Sequence, residues 1–363
     1  MITTALFPSR YVQGADALDA LGTELAALGR TALVIEDPFV NQSLHPKIDA
    51  SLKGKLGFVQ QVFGGECCDE EIERLAGVAR SEHAEVVVGV GGGKTLDTAK
   101  AVGFSLGLRV AVVPTLASTD APTSALAVIY SREGAFKRYM ITPRNPDLVL
   151  VDTQVVARAP VRLLVSGMGD ALSTWFEAED CRIAQAGNMT GRPGPMSAYG
   201  LARLCFDTLL EYGPLAKAAC EQQVVTPALE HVVEANTLLS GLGFESGGLS
   251  AAHAIHNGLT ALEGTHRFWH GEKVAFGTLS LLMLTDRSPA LIDTVYRFCE
   301  AVGLPTTLAQ IGLADVTDTA LMAVAELACA SGETIHNEPF KVTPKKVFAA
   351  MKAADAEGRR RAH

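Results

Sequence analysis

The chain has 363 residues, about twice the length of a common single domain, so two domains with real cores are expected. Apolar residues make up 48% and charged residues 20%, with 34 glycines, which excludes a disordered or collagen-like chain. The 31 basic and 40 acidic residues give a net charge of −9, and the one dense basic run, the arginines at 359–361, ends the chain; nucleic acid is not an expected partner.

In chain order, the opening stretch MITTALFPSRYVQG has no apolar core of signal-peptide length before Arg10. A helical pattern over residues 14–28 precedes strand patterns at 31–35 and 57–63. A helix follows at 69–82, a strand at 84–90, a helix at 96–106 and a strand at 109–113. The runs 126–130 and 138–141 suggest a hairpin, and 148–151 reads as a further strand. Short β-branched runs alternating with helices predict a doubly wound, Rossmann-like parallel sheet over residues 1–159. After Pro160 the strand signals vanish. Segments 162–184, 196–212, 226–241 and 248–262 carry apolar residues at helical spacing, which predicts an all-α domain over 160–363. The boundary falls at 159–160 because proline disfavours helix in the residue before it and suits the first turn of the helix after it.

Seven cysteines, at 67, 68, 181, 205, 220, 299 and 329, form no CxxC pair and no even set, so they read as reduced thiols of a cytoplasmic protein. No apolar stretch reaches the roughly 18 residues needed to span a bilayer, so no membrane is expected as a partner.

Three loops of the first half fall at strand ends, where open α/β sheets bind ligands. The segment Val86-Val-Val-Gly-Val-Gly-Gly-Gly-Lys-Thr95 runs from a buried strand into a glycine loop and a helix. Its backbone N–H groups suit a diphosphate, and the glycines let an anion approach. It fits neither known fingerprint: Lys94 stands where GxGxxG needs its third glycine, and Val88 where GxxxxGK[ST] needs its first. The plain alternative is a tight strand-to-helix turn. Asp37, at the end of Leu33-Val-Ile-Glu-Asp37, either bonds ribose hydroxyls, disfavouring an added 2′-phosphate, or caps a turn. Asp120, in Pro114-Thr-Leu-Ala-Ser-Thr-Asp-Ala-Pro-Thr-Ser124, is equally a polar-substrate contact or a loop acid held by its hydroxyl neighbours.

In the second half, Ser250-Ala-Ala-His-Ala-Ile-His-Asn-Gly-Leu259 puts His253 and His256 on one face of a helix, and His270 follows in Trp269-His-Gly-Glu-Lys273. Asp170, in Ser166-Gly-Met-Gly-Asp-Ala-Leu172, is a carboxylate in a stretch too apolar to bury it without a positive partner. An Asp/His/His set suits Zn²⁺ or Fe²⁺ with coordination positions left open. The alternative for the His253/His256 pair is a packed, hydrogen-bonded pair. His266 is the weaker ligand candidate.

Together with Gly64-Gly-Glu-Cys67, Gly243-Phe-Glu-Ser-Gly-Gly-Leu249 and the remainder of His270-Gly-Glu-Lys-Val-Ala-Phe-Gly277, these landmarks span nearly the whole chain. The sequence resembles the glycerol dehydrogenases, within the metal-dependent, iron-containing type of alcohol dehydrogenase superfamily that also includes dehydroquinate synthase. The resemblance implies a dehydroquinate synthase-like architecture and NAD-dependent oxidation of glycerol to dihydroxyacetone by hydride transfer from a metal-bound alkoxide. It implies Asp170, His253 and His270 as ligands of one Zn²⁺ per subunit, His256 beside the substrate as a catalytic group, and Asp120 on the glycerol hydroxyls. It places Gly93 and Lys94 on the NAD diphosphate, with Asp37, Thr115, Ser118, Ser124, Leu126 and Tyr130 elsewhere around the cofactor. It implies a homo-oligomer, an octamer being one form. Thr174 stands where the wider family often has a fourth ligand histidine, which leaves three protein ligands. A rival on the same architecture, a dehydroquinate-synthase-like lyase, needs a Lys/Arg cluster that 243–262 and 167–176 lack.

Overall fold

Runs rich in valine and isoleucine become the strands of the computed structural model, which describes residues 2–362. In chain order these are Tyr11–Gly14 (β1), Thr31–Glu36 (β2), Gly57–Val62 (β3), Val86–Gly91 (β4), Arg109–Pro114 (β5), Leu126–Tyr130 (β6), Phe136–Ile141 (β7) and Leu148–Asp152 (β8). Six of them pair in one wholly parallel sheet of order β1-β8-β5-β4-β2-β3, while β6 and β7 form a separate antiparallel hairpin. Side chains alternate between two buried layers. Val86, Val88 and Val90 pack with Leu21 and Ile48, whereas Val87 packs on the other face with Leu75 and Val102.

The helices of this half are Leu21–Ala26 (α1), Pro38–Ser43 (α2), His45–Leu52 (α3), Asp69–Ser81 (α4) and Gly93–Leu106 (α5). From β2 the chain moves outward to β3, and β4 then pairs on the opposite side of β2. The loops after β2 and β4 therefore diverge, opening a crevice at the carboxyl ends of these two strands.

No strand follows β8 among the described residues. The helices there are Thr153–Arg158 (α6), Val161–Ala184 (α7), Met196–Glu221 (α8), Pro227–Glu234 (α9), Ser240–Gly247 (α10), Ala251–Leu259 (α11), His270–Leu284 (α12), Pro289–Val302 (α13), Asp318–Ala328 (α14) and Pro344–Arg361 (α15). They share one large apolar core that includes Phe176, Phe206, Phe276 and Tyr296. None of the described helices is long and apolar enough to cross a membrane. All seven cysteines are free, and all but the half-buried Cys329 are buried.

Several elements differ from the sequence expectation. The segment 14–28 is not one helix: a 3₁₀ turn at Ala17–Ala20 precedes the short α1, because the buried Asp152 carboxylate accepts from the N–H groups of Asp16 and Leu18. The helix expected over 196–212 runs on to Glu221 through Pro214, packed against α7 and α9. The single helix expected over 226–241 is α9, a π-helical turn at Ala235–Leu239 and α10 in unbroken succession. The strand β1 and the helices α2 and α3 had no counterpart in the sequence reading.

Candidate active site

Asp170, His253 and His270 come together from α7, α11 and α12, with one donor atom of each within 4.8 Å of the others. Asp170 Oδ1 stands 3.0 Å from His270 Nε2 and 3.5 Å from His253 Nε2. Metal–ligand bonds of about 2 Å in tetrahedral geometry put donor atoms about 3.3 Å apart, so this spacing suits one small divalent ion. Asp170 is fully buried, and its Oδ1 has no hydrogen-bond partner. An orphaned carboxylate oxygen facing two imidazole nitrogens fits a cation between them. Burial opposes ionisation of Asp170, but the two imidazoles hold its carboxyl well below the usual range. The His270 side chain is 37% exposed against 13% for His253, so the cluster opens on the His270 side.

Each of the three side chains is held from behind. Glu177, two helical turns after Asp170 on α7, takes His253 Nδ1 at 2.6 Å and leaves Nε2 facing Asp170. Its other oxygen accepts from the N–H groups of Ser250 and His253, capping α11 from a different helix. His270 begins α12, where Glu272 accepts from Trp269 N–H and is itself gripped by Arg162 at 2.6 and 2.9 Å. The glycines flanking Asp170 have steric work: a Cβ at Gly167 would overlap the Ala117 carbonyl, and one at Gly169 the Gly271 carbonyl. They let the β5–β6 loop and the start of α12 close onto the carboxylate.

His256 is buried beside the cluster, with Nε2 3.1 Å from His270 Nδ1 and Nδ1 3.2 Å from Asn257 Oδ1. Burial, reinforced by His270 and Lys273, pushes its pKa well below the ordinary value. His266 lies apart, bonded to the Thr260 carbonyl.

The loop from Pro114 to Ser124 reaches the cluster of Asp170, His253 and His270 directly. Asp120 N–H donates to Asp170 Oδ2 at 3.1 Å, and Asp120 Oδ2 accepts from Ser240 Oγ at 2.8 Å. Ser240 Oγ also lies 2.8 Å from Thr174 Oγ1, so the residue in place of a fourth histidine helps to hold Asp120. Burial and the neighbouring Asp170 raise the Asp120 pKa well above the usual range. The π-helical turn places Asn236 to donate to the Ala117 and Leu164 carbonyls at 2.9 and 3.1 Å. Ser118 accepts through its carbonyl from Ser166, and Ser124 is turned inward onto the Ala121 carbonyl. The buried Lys100 binds the Ala121 and Leu126 carbonyls, tying the loop to α5.

The other end of the site is the crevice between β2 and β4. Of the acids at the end of β2, Glu36 is buried and bonded to Asn41, His45 and Gln60, while Asp37 lies in the crevice. Asp37 caps α2 through Val40 N–H and accepts from Gly92 N–H at 3.2 Å, against the glycine loop. No side chain caps α5; Gly93 and Lys94 in its first turn are exposed, and a Cβ at Gly93 would meet open space. That cradle of free N–H groups fits an anion such as a diphosphate. Lys94 pairs with Glu66 at 2.6 Å and lies 4.9 Å from the Tyr130 ring, which brings Tyr130 to the crevice. Thr115, at the end of β5, is buried and donates its N–H to the Gly91 carbonyl.

Sequence reasoning gave no role to Glu177, Glu66, Asn257 or Ser240. Glu66 and Asn257 lie inside segments it singled out, and Glu177 left a local signal in its seven-residue offset from Asp170 on one helix face.

The family model for iron-containing alcohol dehydrogenases matches residues 8–153. A glycerol dehydrogenase from Thermotoga maritima is 63% identical over 361 residues, 99% of each chain. A glycolaldehyde reductase from Halobacterium salinarum is 49% identical over 97% of each chain. The crystal structure of a probable glycerol dehydrogenase from Sinorhizobium meliloti 1021, 47% identical, matches with a TM-score of 0.92 and covers 99% of this chain and 100% of that one. With full-length identity at this level behind the family match, the chain belongs to the iron-containing alcohol dehydrogenase family.

Proposed function

We propose that the chain catalyses the NAD-dependent oxidation of glycerol to dihydroxyacetone, and of related vicinal diols, with one zinc ion per subunit held by Asp170, His253 and His270. The observation that carries this reading is the orphaned Asp170 Oδ1 facing two imidazole Nε2 atoms, beside a loop that leaves the carboxyl edge of the parallel sheet. When bound, zinc would act as a Lewis acid that lowers the pKa of a substrate hydroxyl, and NAD would accept the hydride.

The protein's own groups do the positioning. Glu177 keeps the His253 lone pair turned toward Asp170. Asp120, held by Ser240 and seated against Asp170, would meet the substrate hydroxyls. Asp37 would bond the ribose hydroxyls and repel a 2′-phosphate, favouring NAD over NADP. Gly93 and Lys94 would meet the diphosphate, with Thr115, Ser118, Ser124, Leu126 and Tyr130 around the rest of the cofactor. The reaction then belongs in the cleft between the crevice and the metal cluster. Seven unpaired cysteines suit a cytoplasmic protein, and a homo-oligomer, an octamer being one form, completes the proposal.

The test is NADH formation by absorbance with purified protein, NAD and glycerol, before chelation, after chelation and after Zn²⁺ is restored. Loss on chelation, recovery with Zn²⁺ and an inactive Asp170→Asn variant are expected. Activity that survives complete metal removal would overturn the mechanism. Similarity to the glycolaldehyde reductase favours a second reading, reduction of a small hydroxyaldehyde, and kcat/KM compared across glycerol, 1,2-propanediol and glycolaldehyde decides between them.

A further inference from the structure

A half-buried carboxylate stands at one end of a hydrogen-bond chain whose other end is a ligand imidazole. Glu333 Oε2 accepts from Asn257 Nδ2 at 3.0 Å; Asn257 Oδ1 faces His256 Nδ1 at 3.2 Å; His256 Nε2 faces His270 Nδ1 at 3.1 Å. The polarity of each link is forced by the one before it. An ionised carboxylate only accepts, so Asn257 must turn its amide nitrogen to Glu333 and its oxygen to His256. That oxygen also only accepts, so His256 carries its proton on Nδ1 and presents a lone pair at Nε2. The lone pair takes the Nδ1–H of His270, whose Nε2 is left unprotonated and 3.0 Å from Asp170 Oδ1. Both ring nitrogens of the buried His256 are thereby committed, and neither is free to carry a substrate proton.

We propose that His256 is a positioning residue rather than the proton carrier, and that Asn257 and Glu333 fix its tautomer so that His270 offers a lone pair to the metal. This rests on the zinc reading above. The turn that bears Glu333 also grips the other end of α11: Thr334 Oγ1 donates to the Ser250 carbonyl at 2.7 Å, Asn337 Nδ2 to the Leu249 carbonyl at 2.8 Å, and Glu338 Oε1 accepts from Ala251 N–H at 3.1 Å. Residues 333–338 thus clamp the helix that carries both His253 and His256.

Reversing the polarity at its source tests the chain. A lysine at 333 can only donate, so Asn257 would turn its oxygen outward and its amide toward His256, which would bring two N–H groups together at His270. Zinc affinity, measured by competition with a chromophoric chelator, should fall about tenfold in Glu333→Lys and stay within about twofold in Glu333→Gln, which still accepts. His256→Ala should weaken zinc about 10- to 100-fold, and His256→Gln, whose amide oxygen can accept from His270 but cannot carry a proton, should recover most of that affinity and keep the shape of the zinc-saturated kcat pH profile. Unchanged affinity in Glu333→Lys, no recovery of affinity in His256→Gln, or a limb of the pH profile lost in zinc-saturated His256→Gln would overturn the proposal. Should the unaltered protein bind no zinc, the zinc reading itself falls; should it bind zinc and only the variants behave otherwise, this inference alone falls.

Discussion

The two ends of the site are built differently. At the proposed metal end each side chain is oriented by a second partner: Glu177 behind His253, His256 behind His270, and the Asp120 N–H on the far oxygen of Asp170. At the crevice end the first turn of α5 is uncapped, Gly93 and Lys94 are exposed, and Lys94 is held by one partly exposed carboxylate. An ion meant to stay is served by donors fixed before it arrives. A ligand that must leave in each cycle is better served by groups whose existing partners are easily exchanged.

Four substitutions would break or sharpen this contrast, from the largest expected effect to the smallest. Gly167→Ala pushes a methyl into the Ala117 carbonyl, where backbone meets backbone, and should cost about 3 kcal/mol, seen as a lower Tm. Glu177→Gln replaces the carboxylate behind His253 with an amide and should weaken zinc about 10- to 100-fold; equal affinity would mean that the metal end is less preorganised than its geometry states. At the crevice, Lys94→Met should raise KM for NAD about tenfold with kcat nearly unchanged, and a matching fall in kcat would make Lys94 part of the chemistry.

The smallest effect concerns Glu338, at the N-terminus of α11. Burial, helped by Asp180, pushes its carboxyl up from 4.5 to about 8. A raised folded-state pKa means a contribution that is fully present below the unfolded value and lost as pH rises through about 8. Glu338→Gln cannot titrate, so the Tm of the unaltered protein should drop relative to this variant by a few degrees between pH 6 and pH 9. A constant difference across that range would show that Glu338 is ionised throughout.

The sheet was legible because β4 and its neighbours are continuous valine-rich runs bounded by glycine and proline. The strand β1 was not: it has four residues, all half-buried, at the sheet edge. The start signals of α2 and α3, Asp37-Pro38 and His45-Pro46, were present but each helix is short. In the site, Asp170, His253 and His270 were readable as metal-binding types, with His253 and His256 sharing a face. What orients them was not. Glu333 and Asn257 are 76 residues apart, and so are Glu177 and His253, so no local spacing announces either pair. Likewise, which of the adjacent acids Glu36 and Asp37 faces the crevice is set by Asn41, His45 and Gln60 around Glu36, contacts that no local pattern announces.

The close backbone approaches have a consequence for how this sequence can drift. A Cβ at Gly271 would overlap the Ser166 carbonyl, and one at Gly241 would overlap Thr123 Oγ1. Neither glycine carries a charge, a proton or a ligand atom, yet each occupies a position with no spare volume for any other residue. In a saturation library sorted by activity, these two positions should be as intolerant as Asp170, His253 and His270, so intolerance to substitution is a poor guide to chemistry in this protein.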